Sequence, residues 1–275
     1  MTEPSILTFR GLGEFGRLGN QLFQIAATIG VAERHGFEPR FETWAYRDQF
    51  RLPDRLFGPV PPSASDVRQF AITLPEAHRP FVQEFALFAD SIENVRSWLM
   101  PADPQLRAGR ERLGGLLERP SPTAIHVRRG DYVGDEARHP TQPPAYYERA
   151  LSCLGGHGTP IVFSDDPEWC RRSLGHLRPA AILDPGPEVV DLAAMALCPR
   201  HVIANSSYSY WGALLAGDDR AVYPRPWFGP EFAEAEDVQR GPPTWIPIDH
   251  EHRRNLAGRW RGRRRWRPQL LRSKS

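Results

Sequence analysis

The segment Ile125–Tyr132, which reads IHVRRGDY, has the side chains best suited to bind an anionic ligand. If the residues before Arg128 form a strand, His126 points away from its apolar neighbours, and both arginines emerge at the carboxyl end of that strand. A guanidinium group binds two phosphate oxygens at once, and each charge-assisted hydrogen bond contributes roughly 1.5–3 kcal/mol. Asp131 is placed to hold one arginine by an ion pair. The segment predicts a phosphate clamp by Arg128 and Arg129, against the alternative of a surface ion pair beside a core histidine.

A glycine-rich stretch lies between an apolar segment, Ile6–Arg10, and the helical pattern of Asn20–His35. Its residues Gly11–Gly16 read GLGEFG and match the G-x-G-x-x-G motif of dinucleotide-binding loops. Glycines let the backbone approach an anion closely, and the N-terminus of the following helix adds partial positive charge. The motif leaves open a nicotinamide-dependent oxidoreductase, although the acidic residue expected about 20 positions further on is not convincing. Asn20 stands at the predicted helix start, where an N-cap is its simplest role.

Two more polar clusters follow predicted strands. Asp165 and Asp166 precede Pro167, so they either hold a divalent metal or form an ordinary helix N-terminus, and the N-terminus is favoured. Ser206 and Ser207 stand where a strand gives way to a helix, which makes another terminus suited to anions.

Strands and helices alternate regularly after the linker Glu118–Pro122, and this pattern predicts an α/β fold with a parallel sheet covered on both faces. In such sheets ligands bind beyond the carboxyl ends of the strands, where the polar clusters fall. Residues 37–44 are predicted as a strand, 105–117 as a helix, and 242–275 as an irregular tail or short return segment. The predicted strands of the second half are Thr123–Val127, Pro160–Phe163, Ala180–Leu183, His201–Ala204 and Arg220–Tyr223, and the helices are Pro144–Leu154, Pro167–Leu174, Glu188–Leu197 and Ser207–Ala216.

Composition indicates a globular protein of one large or two modest domains, because the 275 residues are 40% hydrophobic and 25% charged. No apolar run is long enough for a membrane span, and the N-terminus lacks the pattern of a signal peptide. The three cysteines have no zinc-like spacing and fit reduced thiols. Together these features predict a cytoplasmic location.

The net charge of +2 hides a strongly basic tail. Arg253–Lys274 contains ten basic residues and no acidic one, which leaves 25 basic against 33 acidic residues in the rest of the chain. Arginine interleaved with tryptophan fits an anionic membrane surface or nucleic acid, and a solvated tail is the alternative. We expect peripheral association with the inner face of the membrane and no nucleic-acid partner.

Four blocks, in order, resemble one family. The sequence GRLGNQLFQ at 16–24, the IHVRRGDY segment, FSDDPEWC at 163–170, and DLAAMALCPRHVIANSSYSYW at 191–211 are similar to the signatures of the bacterial and animal α-1,2-fucosyltransferases, glycosyltransferase family 11. The resemblance covers roughly residues 10–230. It is faint over 40–104, where contacts with the acceptor would be expected.

The resemblance implies a GT-B fold, in which two Rossmann-like domains with parallel sheets face each other across a cleft. Residues 1–118 would form the acceptor-side domain, 119–236 the donor-binding domain, and 237–275 a return segment with the basic tail. The implied reaction is inverting transfer of L-fucose from GDP-fucose to the 2-hydroxyl of an acceptor sugar, a galactoside on an oligosaccharide or lipid-linked glycan. Neither a metal nor another cofactor is implied. The alternatives remain an NAD(P)-dependent oxidoreductase and a nucleic-acid-binding protein using the tail.

The resemblance also implies roles for individual residues. Arg128 and Arg129 would contact the diphosphate, with Arg128 the more critical and Asp131 beside them. Asn20 would reach the phosphate or fucose from the opposite domain. The remaining donor-side residues are His126 and Asp191 toward the guanosine, Ser206 and Ser207 toward phosphate oxygens, and Gly19 in the wall of the cleft.

The general base is less well defined. Glu136 lies seven residues beyond Arg129, a spacing at which more distant core-fucosylating relatives have an acid. It is therefore the candidate base, with Asp131, Asp135 and His139 as alternatives.

Overall fold

Two parallel β-sheets organise the residues that the computed structural model describes, which are 5–156, 158–217, 220–235 and 240–249. The first sheet has the strand order β2-β1-β3 and the second β6-β5-β4-β7-β8-β9. The strands are β1 Ile6–Thr8, β2 Glu38–Pro39, β3 Ser65–Asp66, β4 Pro122–Val127, β5 Thr159–Ser164, β6 Ala181–Leu183, β7 Arg200–Val202, β8 Ala221–Arg225 and β9 Ile246–Asp249. The helices are α1 Leu18–His35, α2 Ile92–Trp98, α3 Asp103–Leu113, α4 Pro144–Cys153, α5 Pro167–Leu174, α6 Glu188–Ala196 and α7 Ser207–Leu215.

The second sheet has the topology of a Rossmann fold. Counted from β4, its strands lie in the spatial order 3-2-1-4-5-6, and all of them pair in parallel. Every residue of β4 is buried, as expected for a central strand with helices over both faces. Strand order reverses between β4 and β7, so the crevice beyond their carboxyl ends is where such a sheet binds ligands. The predicted α/β class and the two facing parallel sheets of a GT-B fold are confirmed.

The first sheet is smaller and less regular. Helix α1 buries most of its residues and ends at Gly36, whose left-handed conformation (φ 72°) closes the helix as expected. The strand predicted over 37–44 is only two residues long, because Pro39 lacks an N–H for the ladder and Phe41 forms an isolated bridge with Phe57. Much of 45–91 consists of short 3₁₀ turns. This part of the chain is shaped by tertiary contacts more than by local periodicity.

Helix α3 lies before the predicted domain boundary at residue 118 but packs on α6 of the second sheet. Gly109 makes this close approach feasible, since a Cβ at that position would lie 2.8 Å from the backbone nitrogen of Ala194. The Arg112 side chain on the same helix pairs with Asp191 of α6. In space, α3 therefore accompanies the second sheet, and the domain boundaries drawn from the sequence stay a prediction.

Helices α1 and α7 join the two halves. The indole nitrogen of Trp211 donates to the carbonyl of Gly19 at 2.9 Å in a fully buried contact. Phe23 packs beside it, with its ring 4.6 Å from Tyr210 and 5.1 Å from Trp211. A Cβ on Gly19 would lie 2.5 Å from the backbone nitrogen of Tyr208, so the two helix N-termini touch at backbone distance.

No helix in the described part of the chain is long and apolar enough to cross a membrane. Residues 242–249, predicted as part of an irregular tail or a short return segment, include the edge strand β9. The basic tail Arg253–Lys274 lies outside the described residues.

Replacing Gly19 by alanine is expected to lower the free energy of unfolding by roughly 1–3 kcal/mol, because the added methyl group meets backbone atoms that cannot give way easily. Gly115→Ala is the matched control, since a Cβ at Gly115 meets no atom within 4 Å. Chemical denaturation of the two variants beside the wild type measures the difference. Equal midpoints for both variants would contradict the backbone contact between α1 and α7.

Candidate active site

A cavity of about 420 Å³ opens between the two sheets. One wall is the turn before α1, residues 16–20, and the other is formed by the segments that follow β4, β5, β6 and β7. The cavity therefore lies at the reversal of strand order, where the topology predicts a ligand. Its lining includes eight residues predicted for the site: Gly19, Asn20, His126, Arg128, Asp131, Asp191, Ser206 and Ser207.

Arg128 is the central cation of this cavity. One nitrogen of its guanidinium lies 2.5 Å from Asp131 and another 2.9 Å from Asp165, and its Cζ lies 5.6 Å from the ring centre of Tyr132. Asp131 is also paired with Arg17, which reaches across the cleft from the N-cap of α1. Burial acts to raise the pKa of Asp131, but the charges of Arg128 and Arg17 outweigh it and hold that pKa below its usual value. The predicted ion pair between Arg128 and Asp131 is present.

Arg129 does not line the cavity. The backbone turns sharply after Arg128, and the guanidinium of Arg129 lies 4.3 Å above the ring of Trp169, with its Nε 3.2 Å from Asp166. Adjacent arginines thus diverge, and the structure brings only the first of them to the cleft. The clamp predicted for both is not seen in this arrangement, because stacking and the ion pair hold Arg129 on α5.

The adjacent carboxylates of Asp165 and Asp166 both stabilise the local structure. Asp166 caps α5 by accepting a hydrogen bond from the backbone nitrogen of Trp169 at 3.0 Å, as the helix-start prediction required. That bond is the largest cause of the lowered pKa of Asp166. Asp165 accepts from the backbone nitrogen of Arg129 at 2.8 Å while it pairs with Arg128. Among the described residues no group of three or more His, Cys, Asp or Glu side chains could hold a metal ion.

The N-terminus of α7 faces Arg128 across the crevice. Ser206 is the N-cap residue with extended backbone, and its side chain makes no capping bond. The first backbone N–H groups of a helix have no partner within that helix and carry partial positive charge. Ser206 and Ser207 therefore present hydroxyl and amide donors opposite a guanidinium. This is an arrangement that can bind an anion with more than one acceptor oxygen.

The turn before α1 forms the opposite wall. Gly16 has a left-handed backbone (φ 73°), and a Cβ there would collide with the Asn20 side chain. Because α1 begins at Leu18 with Arg17 as N-cap, Asn20 lies inside the first turn and the N-cap role proposed for it is wrong. Its Oδ1 instead accepts from Gln83 at 2.7 Å, and both amides line the cavity.

Gln83 was not foreseen from the sequence. It follows Val82, a fully buried β-branched residue with φ 41°, a backbone conformation that such residues rarely adopt. Strained backbone of this kind is found most often where a side chain must be placed for function. The strain is consistent with Gln83 being held in position to meet Asn20.

His126 and Asp191 also line the cavity. Burial lowers the pKa of His126 to about 3, with a further contribution from the charge of Arg128, so the ring is neutral at pH 7. Its Nδ1 is buried and has no hydrogen-bond partner among the described residues. Asp191 pairs with Arg112 and accepts from the backbone nitrogen of Gly186 at 2.8 Å, which fixes the loop after β6.

Glu136, the predicted base, does not line the cavity. Its carboxylate accepts from the backbone nitrogen of Gly134 at 3.3 Å. His139, one of the alternatives, does line the cavity, stacked on the ring of Tyr132 at 4.8 Å and 18°. The sequence analysis assigned no individual role to Arg17, Gln83 or Tyr132, because their positions depend on turns and on contacts between the halves.

Two parallel sheets that face each other, with a cleft at the switch point of the larger one, form the GT-B arrangement. The chain belongs to glycosyl transferase family 11, whose sequence model matches residues 79–249. The family match gives no support to a nicotinamide-dependent oxidoreductase or a nucleic-acid-binding protein.

Solved structures agree on the fold. POFUT1 in its apo form superposes with a TM-score of 0.50 at 11% identity, over 81% of this chain and 99% of that one. The family 9 glycosyl transferase from Veillonella parvula also gives 0.50, at 10% identity, over 93% and 88% of the two chains.

Curated relatives are more similar in sequence. An Escherichia coli α-1,2-colitosyltransferase is 30% identical over 181 residues, 62% of this chain and 61% of the relative. The O-antigen biosynthesis glycosyltransferase WbnK of Escherichia coli is 33% identical over 124 residues, 41% of each chain. Human galactoside α-(1,2)-fucosyltransferase 1 is 24% identical over 244 residues, 74% of this chain and 64% of the relative. This chain thus spans less than two thirds of the length of each of these relatives.

The neutral, buried His126 predicts that the protein loses stability in mild acid. In the unfolded chain His126 is protonated below about pH 6.5, whereas in the folded protein it stays neutral down to about pH 3. The unfolded state therefore binds more protons between these values. The free energy of unfolding falls as the pH decreases, by at most about 1.4 kcal/mol per pH unit. Buried His201, with a pKa lowered to about 4, acts in the same direction. Urea unfolding of the wild type and His126→Gln between pH 7.5 and 5 measures the slope. Parallel slopes for the two proteins would rule out the role assigned to His126.

Proposed function

We propose that this protein transfers L-fucose from GDP-fucose to the 2-hydroxyl of an acceptor sugar, with inversion at the anomeric carbon. The observation that carries the proposal is the position of Arg128 at the end of β4, facing the N-terminus of α7 across the switch point of the second sheet. A guanidinium and a helix terminus that converge on one crevice suit a diphosphate. The cavity volume of about 420 Å³ lies in the usual range for ligand sites.

Catalysis in this proposal is electrostatic. Breaking the bond between the sugar and the diphosphate builds negative charge on the leaving group, and donors fixed in advance stabilise that charge without having to reorganise. Arg128 would take this part, with the hydroxyls and amides of Ser206 and Ser207. The diphosphate would replace Asp131 and Asp165 as the partner of Arg128. No metal or other cofactor is needed, since the arginine and the helix terminus supply the positive charge.

The other predicted residues are assigned by their place in the cavity. His126 and Asp191 would lie toward the guanosine, Asp191 by holding the loop at Gly186. Asn20 would contact the donor from the opposite wall, beside Gly19. We assign an indirect role to Arg129. Its guanidinium stacks on Trp169 and so holds the turn that places Arg128 in the cleft.

The names of the relatives bear on the linkage. The colitosyltransferase and the galactoside fucosyltransferases differ in the sugar that they are named for, but both names state an α-1,2 bond. The 2-hydroxyl of the acceptor is therefore the feature that we expect this chain to share. For the acceptor we propose a galactoside of a surface glycan, in keeping with the O-antigen biosynthesis named for another relative.

A transfer assay tests the proposal directly. The purified protein is incubated with GDP-fucose and an array of galactoside glycans, with GDP-colitose as the competing donor and EDTA present in a parallel set. Fucosylation of a 2-hydroxyl, unaffected by EDTA, is the expected result. Thermal unfolding with GDP and with NAD separates the two nucleotide classes, since only the true ligand raises the melting temperature. Stabilisation by NAD alone would refute the proposal.

Arg128→Ala is expected to lower kcat/KM by at least about 100-fold, the effect of removing one donor aimed at a developing negative charge. Arg129→Ala is the matched comparison, because it removes the neighbouring guanidinium, which stacks on Trp169 outside the cavity. We expect it to lower stability while the affinity for GDP stays within about tenfold. Steady-state kinetics and GDP titration measure both variants. Equal losses would show that both arginines bind the donor.

We also propose that the protein acts at the cytoplasmic face of a membrane, held there by the basic tail. The ten basic residues of Arg253–Lys274 would each contribute up to about 1 kcal/mol of attraction to anionic lipid when they lie near its surface.

Deleting residues 253–274 is expected to weaken binding to phosphatidylserine vesicles and to spare turnover on a soluble acceptor. Vesicle co-sedimentation at two salt concentrations, with neutral vesicles as the control, measures the effect. Vesicle binding that survives the deletion would exclude the tail as the anchor, and salt-dependent binding of duplex DNA by the tail would favour a nucleic acid instead.

A further inference from the structure

The proposed transfer needs a group that accepts a proton. As the acceptor oxygen bonds to the anomeric carbon, the bond to the diphosphate breaks and its electron pair leaves with the phosphate oxygen. The acceptor oxygen must then lose its hydrogen to a base. This base has to lie on the far side of the sugar from the leaving group, because the two bonds are in line during inversion.

The carboxylates that line the cavity already have partners. Asp131 and Asp165 pair with Arg128, and Asp191 pairs with Arg112. Glu188 accepts a hydrogen bond from Tyr46, which comes from the first half of the chain. Asp131 and Asp165 lie beside Arg128, on the side of the leaving group, so neither meets the in-line requirement. The carboxylates of Asp191 and Glu188 are occupied by partners that the diphosphate does not displace.

His139 differs from these groups. Its Nδ1 is buried and has no hydrogen-bond partner among the described residues. Burial lowers the pKa of His139, against the opposing effect of the carboxylates of Asp135 and Asp131, so the imidazole is neutral at pH 7 and has a free lone pair. The charged and titratable groups around it, besides these two carboxylates, include Arg138, Arg128, His78 and the stacked Tyr132.

His139 lies close to the proposed diphosphate site. The ring centre of Tyr132 is 5.6 Å from the Cζ of Arg128 and 4.8 Å from the centre of the His139 imidazole. His139 is thus two side-chain contacts away from the guanidinium, and both residues line the cavity.

The backbone just before His139 is held by the segment that follows β8. The carbonyl of Arg138 accepts from the backbone nitrogen of Gly229 at 2.8 Å, and the carbonyl of Ala137 accepts from that of Glu231 at 2.9 Å. A Cβ at Gly229 would lie 2.4 Å from two carbonyl oxygens of the 136–137 segment, so a larger residue could not make this contact. With the backbone held by these two hydrogen bonds, His139 lines the cavity and Glu136 does not.

We propose that His139 is the general base of the transfer, resting on the proposed function. The proton passes from the acceptor hydroxyl to an imidazole nitrogen as the new glycosidic bond forms, and the resulting imidazolium later releases it to solvent. Glu136, in this assignment, has no part in the chemistry.

Three glutamine variants test the assignment, with transfer to a galactoside as the activity. His139→Gln keeps a polar side chain of similar length but removes the base. Its kcat is expected to fall by at least about 100-fold, the lower end of the usual contribution of general base catalysis. Its affinity for GDP is expected to stay within about threefold of the wild type. Glu136→Gln is expected to keep the kcat of the wild type.

His78→Gln is the matched control. His78 also has a pKa lowered by burial and packs on Phe228 and Phe232, the rings that His139 touches, but it does not line the cavity. The kcat of the wild type is expected to fall in acid as the imidazole becomes protonated, at a pH lower than the ordinary histidine pKa of about 6.5 because burial lowers the pKa of His139. This fall of kcat at acidic pH, the acidic limb of the pH profile, should persist in His78→Gln. It should disappear from the residual activity of His139→Gln.

Each result has a defined meaning. A His139→Gln variant that keeps its kcat within about tenfold, or keeps the acidic limb, overturns the assignment. A loss seen in Glu136→Gln instead would return the base role to Glu136. If the wild type neither binds GDP nor transfers fucose, the proposed function itself fails and the base role fails with it. Retained GDP binding by every variant shows that the cavity has stayed folded.

Discussion

The contact between the N-termini of α1 and α7 is the constraint on which the site depends. Gly19 meets the backbone of Tyr208 without a side chain between them, and the buried indole of Trp211 bonds to the Gly19 carbonyl. Because this contact holds the turn before α1 at a fixed distance from the second sheet, Asn20 faces the end of β4 and Arg17 reaches Asp131. A single small residue thus decides the width of a cleft whose walls come from distant parts of the sequence.

Charge in the cleft is balanced before any substrate enters. Arg128 is largely buried, and an isolated buried cation would be costly, so Asp131 and Asp165 neutralise it in the free protein. These carboxylates also fix the direction of the guanidinium. A diphosphate that replaces them would meet a cation that is already oriented. Breaking the ion pairs of Arg128 with the two carboxylates would offset part of the favourable free energy of binding. In the proposed function, affinity for the donor would therefore depend on Asp131 and Asp165 as well as on Arg128.

Part of the fold and of the candidate site could be predicted from local sequence patterns. Helix α5 has the predicted bounds, because Pro167 and the Asp166 cap are signals carried within a few residues. The position of Arg128 at the cleft could be predicted because a buried strand defines where its carboxyl end emerges. The direction of the Arg129 side chain could not, since it depends on a sharp turn and on Trp169, 40 positions further along. The position of Gln83 could not be predicted from the sequence. It is set by the strained backbone of Val82 and by a hydrogen bond to Asn20 of α1, and neither produces a periodic sequence pattern.

The position of α3 bears on how the protein can move. The chain at Ala102 is still attached to the first half, where its nitrogen donates to the carbonyl of Gln49, whereas the helix that begins one residue later rests on α6. Relative rotation of the two sheets would therefore bend the backbone at this junction, sixteen or more residues before the linker at 118 that composition suggests. Such a rotation would leave α3 in place on the donor side, and the loop held by Arg112 and Asp191 would stay undisturbed.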